Sequence, residues 1–201
     1  MDKDKRTQET YTQIAESYLK NNQDRSIVVP EIERFVSLVR PGGLVFDVGC
    51  GPGYDTAVFH THNLHAIGMD YNWQMMHTGR SQQQLTYDFV QVDMRHLPLR
   101  TCADGLWVSA SLLHIPHNEV PATLREFHRV LRPDGILYLA VKLGEGELWT
   151  EKSHGHDLPR YFSLWQPEEL DRMLETAVFT IIDGWLNEQT RSPWIIRFAQ
   201  K

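Results

Sequence analysis

Cysteine is scarce in this chain of 201 residues: Cys50 and Cys102 are the only two, far apart and in no C-x-x-C arrangement. Neither a disulfide framework nor a thiolate metal site is expected, and a reducing, cytoplasmic compartment is. Basic excess is lacking too. Lys and Arg number 20 against 26 Asp and Glu, a net charge of -6, which argues against a general nucleic-acid binder and leaves room only for a local patch. No apolar run reaches the length of a membrane span, and the charged start "MDKDKRTQET" has no apolar signal-peptide core, so no membrane association is expected. Internal repeats, low-complexity stretches and domain linkers are likewise absent. With 41% hydrophobic and 23% charged residues, one soluble domain over 1–201 is the expectation.

What is present is an alternation of strand-like and helix-like segments. Residues 8–20 place Tyr11, Ile14, Ala15, Tyr18 and Leu19 at helical spacing, and a second helix is expected from about Pro30 to Val39, stopped by Pro41-Gly42-Gly43. "LVFDV" then starts the first strand. Helices are expected at 55–62, 72–84, 119–131 and 167–176, and strands at 65–70, 87–93, 104–111 and 136–142, with a turn at 132–135. Residues 144–164 show no clear periodicity. "FTIIDGWL" and "PWIIRFA", joined by about seven polar residues, close the chain as an antiparallel pair at a sheet edge. The expected fold is α/β: a doubly wound, Rossmann-like sheet of seven strands, mostly parallel with an antiparallel C-terminal strand, and helices on both faces. Within it, 1–40 would be lid helices, 43–142 a cofactor-binding core, 143–165 a substrate-side loop and 166–201 the C-terminal helix and edge hairpin.

The stretch "VFDVGCGPGYD" (45–55) follows the first strand, where doubly wound sheets bind ligands. A dinucleotide fingerprint needs G-x-G-x-x-G, but the glycines here fall at 49, 51 and 53, and Tyr54 takes the third glycine's place. Asp47 just ahead of them would repel a phosphate and suits an ammonium or sulfonium. Asp70 ends the second strand, 21 residues after Gly49, where a carboxylate can accept from both hydroxyls of a ribose. Asp93 ends the third, where it could accept from an adenine amino group. Three acids at three successive strand ends describe a site for a cationic nucleoside.

These residues carry a resemblance. "VFDVGCGPG", "AIGMD", "FVQVDMRHLPL", "DGLWVSASLLHIP" and "EFHRVLRPDGILYLAV" follow one another over about 43–142 as in the class I S-adenosylmethionine-dependent methyltransferases of the small type 11 kind, and "YTQIAESY" resembles that family's entry helix. The resemblance implies S-adenosylmethionine as methyl donor and S-adenosylhomocysteine as product. Backbone at Gly49, Cys50 and Gly51 would face the methionine part, Asp47 its amino group, and the Ser109 carbonyl the same amine. Asp70 would hold the ribose, Tyr71 would lie against the adenine, and Asp93 with the Met94 amide would read the adenine edge. Tyr11, Tyr18 and Arg25 would close over the site, Arg25 facing the carboxylate. No redox role is expected of Cys50.

On the acceptor side, His114 and His117 in "LLHIPHNE" are candidates, His114 as a general base, with simple pocket lining as the alternative. Trp149, Arg160, Tyr161 and Phe162 would form a substrate-side wall, or else pack the following helix onto the sheet. "SHGHD" (153–157) has metal-ligand residue types, but a solvated loop explains it as well, so no metal is expected. The expected activity is transfer of a methyl group to a small-molecule acceptor. The alternatives are a tRNA or protein methyltransferase, or an inactive cofactor-binding regulator. The missing Asn/Asp-Pro-Pro-Tyr/Phe signature speaks against DNA bases. The acceptor's identity and the choice between monomer and homodimer stay open.

Overall fold

The computed structural model describes residues 3–189 and 192–201. Its centre is a seven-stranded sheet in the order β3-β2-β1-β4-β5-β9-β8. The strands are β1 (Leu44–Val48), β2 (His65–Asp70), β3 (Phe89–Gln91), β4 (Ala103–Ser109), β5 (Leu131–Lys142), β8 (Thr180–Asn187) and β9 (Trp194–Gln200). β1 to β5 are parallel, while β9 runs antiparallel to both of its neighbours, as expected. Part of the β8–β9 connection, residues 190–191, lies outside the described residues.

A parallel sheet is covered on both faces, so its strands read as continuous apolar runs rather than alternating ones. Period two still assigns the faces. Leu137, Leu139 and Val141 of β5 enter one core with helices α5 (Val120–Val130) and α6 (Pro167–Thr176). Ile136, Tyr138 and Ala140 enter the other, with α2 (Val29–Leu38) and α3 (Tyr54–Thr61). In α5 the apolar stripe is Val120, Leu124, Phe127 and Val130, with Pro121 in the first turn where no amide is needed. Each such buried side chain contributes up to about 1.5–3 kcal/mol. The second core is aromatic: Trp107 stacks on Tyr138 at 3.7 Å and receives the edges of Phe35 and Phe59.

Four sequence expectations change. Helix α1 spans Lys3–Asn21 and starts five residues early, because its buried positions in the first turns are Thr7 and Thr10, which an apolar pattern does not register. Thr10 Oγ1 donates to the Pro159 carbonyl at 2.6 Å and Thr7 Oγ1 accepts from the Tyr161 amide at 3.1 Å. β3 keeps only three residues of the expected seven. The turn at 132–135 is a bulge inside β5, where pairing jumps from Ala103–Leu131 to Gly105–Ile136. The aperiodic stretch after Lys142 contains a two-stranded antiparallel ribbon, β6 (Glu147–Trp149) with β7 (Tyr161–Ser163); three-residue strands are too short to show a period.

β2 lies on one side of β1 and β4 on the other, so strand order reverses at β1 and opens a crevice beyond the carboxyl ends. Helix α4 (Trp73–Gln83) closes against the loop after β1: a Cβ on Gly79 would stand 2.1 Å from the Pro52 carbonyl oxygen. This glycine, rather than one within the loop, provides the close helix-to-loop approach.

Candidate active site

The crevice holds about 850 Å³ of open space, and Gly49, Gly51, Asp70, Tyr71, Asp93 and Met94 line it. The loop after β1 is shaped by positive φ at Gly49 (80°) and Gly51 (53°). A Cβ on Gly49 would also lie 2.2 Å from Cβ of Ser111, so any side chain there displaces the loop.

Asp70 ties this loop to β2. One carboxylate oxygen accepts from the Gly51 amide at 2.8 Å and the other from the Asn72 amide at 2.7 Å. Burial raises its pKa, and these amides work against the rise. A carboxylate has about four acceptor positions; the Asn72, Gly51 and Tyr71 amides act on three of them, which leaves one for a ligand's hydroxyl. Asn72, which sequence reasoning passed over, caps α4 by accepting from the Met75 amide at 3.0 Å. Its amide group donates to the Gln8 carbonyl and to Thr12 Oγ1, so it also fastens α1 over the crevice.

Asp93 reaches the crevice with its carboxylate already engaged. Burial pushes its pKa up, but the Arg95 guanidinium and amide outweigh that and lower it. Arg95 donates through Nε and Nη2 to both Asp93 oxygens. Its Nη1 lies 2.7 Å from both Asp4 and Glu119. The guanidinium therefore locks α1, the β3 end and α5 together. Nothing in the local pattern around Arg95 signals this, because its partners are up to ninety residues away.

A smaller recess of about 420 Å³ continues behind the glycine loop, between Asp47 and Arg25. Asp47 is buried, and burial together with the neighbouring Asp55 charge raises its pKa. Thr56 Oγ1 donates to it at 2.6 Å. Arg25 instead pairs with Asp55 through Nε at 2.9 Å and Nη2 at 2.6 Å, and Trp107 Nε1 donates to the same carboxylate at 2.9 Å. Arg25 Nη1 has no partner among the described residues. The recess thus offers a carboxyl short of a cation beside a guanidinium with a spare donor. Cys50 is buried at its edge with its thiol pKa pushed well up by burial, which suits an inert thiol.

A second cavity of about 990 Å³ opens on the C-terminal side of the sheet. Tyr11, Tyr18, Ser109, Ala110 and His114 line both it and the crevice, so the two spaces meet there. Ala110 has φ 54°, a left-handed backbone at this junction in a residue other than glycine. His114 Nδ1 lies 2.7 Å from the Tyr161 carbonyl, which can only accept, so Nδ1 carries the proton. Nε2 then accepts from the Tyr11 hydroxyl at 2.8 Å, and that oxygen accepts from Arg160 Nη1 at 3.0 Å. Burial, helped by the Arg160 and Lys142 charges, lowers the His114 pKa to about 3. The ring is neutral with both nitrogens engaged, which makes it a fixed acceptor for Tyr11 and a poor base.

Strand alternation sorts the proposed wall of 149–162. Arg160 and Phe162 face the second cavity. Tyr161 and Trp149 form a cross-strand pair on the opposite side, where Lys3 lies over the Tyr161 ring and Arg6 over Trp149. His117 also lies away from the cavities: its Nε2 meets the Leu164 carbonyl at 2.9 Å and its ring packs on Trp165. For these three residues the structure provides packing and no substrate-side position. From the loop 153–160, His154 and Arg160 line the cavity, with Ser17 Oγ 2.9 Å from His156 Nε2 and Asn21 beside His154. No His/Cys/Asp/Glu cluster of metal-binding form exists among the described residues. The residues missed by sequence reasoning are Glu31, Tyr138, Lys142, Asn187 and Trp194, all lining the second cavity. Lys142, a charge ending the apolar run 136–141 of β5, was the one local signal.

In fold and in the order of its motifs the chain is similar to S-adenosylmethionine-dependent methyltransferases. A methyltransferase-domain family model matches residues 45–135. The chain is 30% identical over 116 residues to the malonyl-[acyl-carrier protein] O-methyltransferase of Serratia marcescens, across 55% of this chain and 45% of that one. It is 26% identical over 152 residues to a mouse tRNA (carboxymethyluridine(34)-5-O)-methyltransferase, across 74% of this chain and 22% of that one. The chain spans about half the length or less of these and other curated relatives. In fold it is similar to the 1,6-didemethyltoxoflavin-N1-methyltransferase of Burkholderia thailandensis, solved with 1,6-didemethyltoxoflavin and S-adenosylhomocysteine. That match has a TM-score of 0.78 at 18% identity and covers 96% of this chain and 86% of the other. No helix among the described residues is long and apolar enough to cross a membrane.

Proposed function

We propose that this chain transfers the methyl group of S-adenosylmethionine to a small-molecule acceptor. The observation that carries the reading is the meeting of two spaces at Tyr11, Tyr18, Ser109, Ala110 and His114: the crevice beyond the strand ends on one side and the second cavity on the other. The chain's residues fit the donor. The remaining acceptor capacity of Asp70 suits a ribose hydroxyl, and Tyr71 borders the crevice where the adenine would lie. The Asp93 carboxylate is filled by Arg95, so the adenine edge falls to backbone, with Met94 the candidate. Asp47 and Arg25 flank the recess with opposite charges and would hold the ammonium and the carboxylate of the methionine end, with Ser109 beside them.

S-adenosylmethionine supplies a methyl carbon on a sulfonium: an acceptor lone pair bonds to that carbon, the carbon–sulfur bond breaks, and its electron pair neutralises the sulfur. The protein's part is orientation and exclusion of water. Asn72 and Arg95 hold α1 down over the crevice, and Ser17 joins α1 to the 153–160 loop. The net charge of -6 favours a small acceptor over a nucleic acid. His114, neutral and engaged, fixes the Tyr11 hydroxyl at the junction.

Calorimetry with S-adenosylhomocysteine tests the donor half. Wild type binds, and Asp70→Ala weakens binding at least tenfold while the protein stays folded by circular dichroism. Absence of binding to wild type, or equal binding to the variant, would overturn the reading. Transfer of a radiolabelled methyl group to a fraction of a metabolite extract tests the acceptor half.

A further inference from the structure

Two cations that line the second cavity, Lys142 and Arg160, have no carboxylate partner among the described residues. Lys142 stands 4.6 Å from the centroid of the Phe162 ring and 5.7 Å from that of Trp194, and forms no ion pair with a described residue. Arg160 lies 5.2 Å from the same Phe162 ring and gives its Nε to Ser153 Oγ and its Nη1 to Tyr11, again with no carboxylate. Two cations over one aromatic ring repel each other in a partly desolvated space. Accordingly, burial and the nearby Arg160 charge lower the Lys142 pKa. Such an arrangement is unfavourable unless an anion enters it.

The opposite side of the cavity has the reverse deficit. Glu31 is 1% exposed, and its Oε1 accepts from Asn187 Nδ2 at 3.1 Å, while its Oε2 is buried without a hydrogen-bond partner. A buried, unmet acceptor is costly and is satisfied by a donor from whatever fills the space. The sheet sets the separation. Lys142 pairs with Trp194, and Trp194 with Asn187, so Lys142 and the Asn187–Glu31 pair are two strand spacings apart, about 10 Å. Tyr18, Tyr138, Phe162 and Trp194 also line the cavity.

We propose that the second cavity takes a small aromatic acid, whose carboxylate or acidic ring oxygen lies between Lys142 and Arg160 and whose N–H donor reaches Glu31 Oε2. This rests on the methyl-transfer reading above and gives its acceptor a chemical class. An anionic acceptor oxygen also needs no base, in keeping with a neutral, fully engaged His114.

Three probes built on one benzene ring test it on the full chain saturated with S-adenosylhomocysteine: 2-aminobenzoate, which has acid and donor, benzoate, which has the acid alone, and aniline, which has the donor alone. Calorimetry or ligand-observed NMR should rank affinity in that order, with benzoate at least fivefold ahead of aniline. Lys142→Met should weaken both acids at least tenfold and leave aniline unchanged, whereas Lys142→Arg should retain the acids. Glu31→Gln should shrink the gap between 2-aminobenzoate and benzoate. S-adenosylhomocysteine binding, measured first in every variant, reports folding and the donor site separately. If it fails in wild type, the methyl-transfer reading falls. If it holds and aniline binds as well as the acids, or Lys142→Met binds acids like wild type, the assignment of an acid acceptor falls alone.

Discussion

Replacing Tyr11 with phenylalanine removes one oxygen from the junction of the two cavities and leaves the ring that fills the space. The oxygen donates to His114 Nε2 at 2.8 Å and accepts from Arg160 Nη1 at 3.0 Å. Both partners are partly buried and nothing else meets them at those atoms, so each is left short of one hydrogen bond. An unmet buried group costs about 1–3 kcal/mol. Arg160 keeps its bond to Ser153, so the net loss should be about 2 kcal/mol. For a chain of this length that lowers Tm by roughly 4–8 °C. Tyr18→Phe is the control, because the Tyr18 hydroxyl has no hydrogen-bond partner among the described residues; its stability should stay within about 0.5 kcal/mol of wild type. Urea unfolding followed by tryptophan fluorescence measures both. A Tyr11→Phe loss no larger than the control's would refute the bonding scheme. The same scheme predicts a pH–rate profile without a histidine limb. His114 takes a proton only near pH 3, so its charge is constant across neutral pH. A limb near 6.5 that disappears in His114→Ala would show that the ring does titrate in turnover.

Gly49→Ala should abolish S-adenosylhomocysteine binding and cost more than about 2 kcal/mol of stability, because the new Cβ meets Ser111 at 2.2 Å and the backbone sits at φ 80°; binding within threefold of wild type would refute it. Asp104→Asn should be most destabilising at neutral pH. Burial alone would raise the Asp104 pKa, but Arg40, the Leu44 amide and Arg132 lower it below its unfolded value. Its contribution is therefore complete above the unfolded pKa and lost as pH falls through the folded one, so the stability gap to wild type should close as the medium is acidified from about pH 5. Asp47 shifts the other way, upward, through burial and Asp55. Only its ionised form pairs with a ligand ammonium, so S-adenosylhomocysteine affinity should rise with pH up to that raised pKa, by at most about tenfold per pH unit. Binding should release protons, which calorimetry in two buffers of different ionisation enthalpy detects. Affinity that is flat with pH, or that is unchanged in Asp47→Asn, would remove Asp47 from the site.

The lining of the crevice was legible because its signals are local. Gly49, Gly51, Asp70 and Asp93 sit at or just beyond strand ends whose apolar runs mark themselves, and their order along the chain is their order around the crevice. The lining of the second cavity was not, for a physical reason. Its wall is assembled from α2, the ends of β5, β8 and β9, and the loop before β7, elements brought together by pairings such as Lys142 with Trp194 and Asn187 with Trp194. Long-range register of this kind leaves no periodic trace in any one segment. Tyr161, Trp149 and His117 look from sequence like equals of Phe162 and Arg160, and only the pleat of a three-residue strand separates them. Thr7 and Thr10, buried through hydroxyl bonds, hid the first two turns of α1 in the same way.

The electrostatics of the junction can be argued one step further. His114 is kept neutral first by burial and then by the charges of Arg160 and Lys142. These are also the cations that the proposed acceptor would bind. The same placement cannot favour a protonated imidazole and an anionic acceptor: moving two positive charges beside the ring removes a base and supplies, in its place, a field that favours deprotonated oxygen. With a sulfonium donor that exchange is chemically sufficient, since an oxygen arriving as an anion has no proton to lose and methyl transfer neutralises both partners. Lys142, whose charge is weakened by burial and by Arg160 when the cavity holds no anion, would regain it when an acid enters. Acid binding should therefore weaken as pH rises through the lowered Lys142 pKa, while aniline binding stays level, and an acid affinity that follows aniline through that range would show that the field does not select charge.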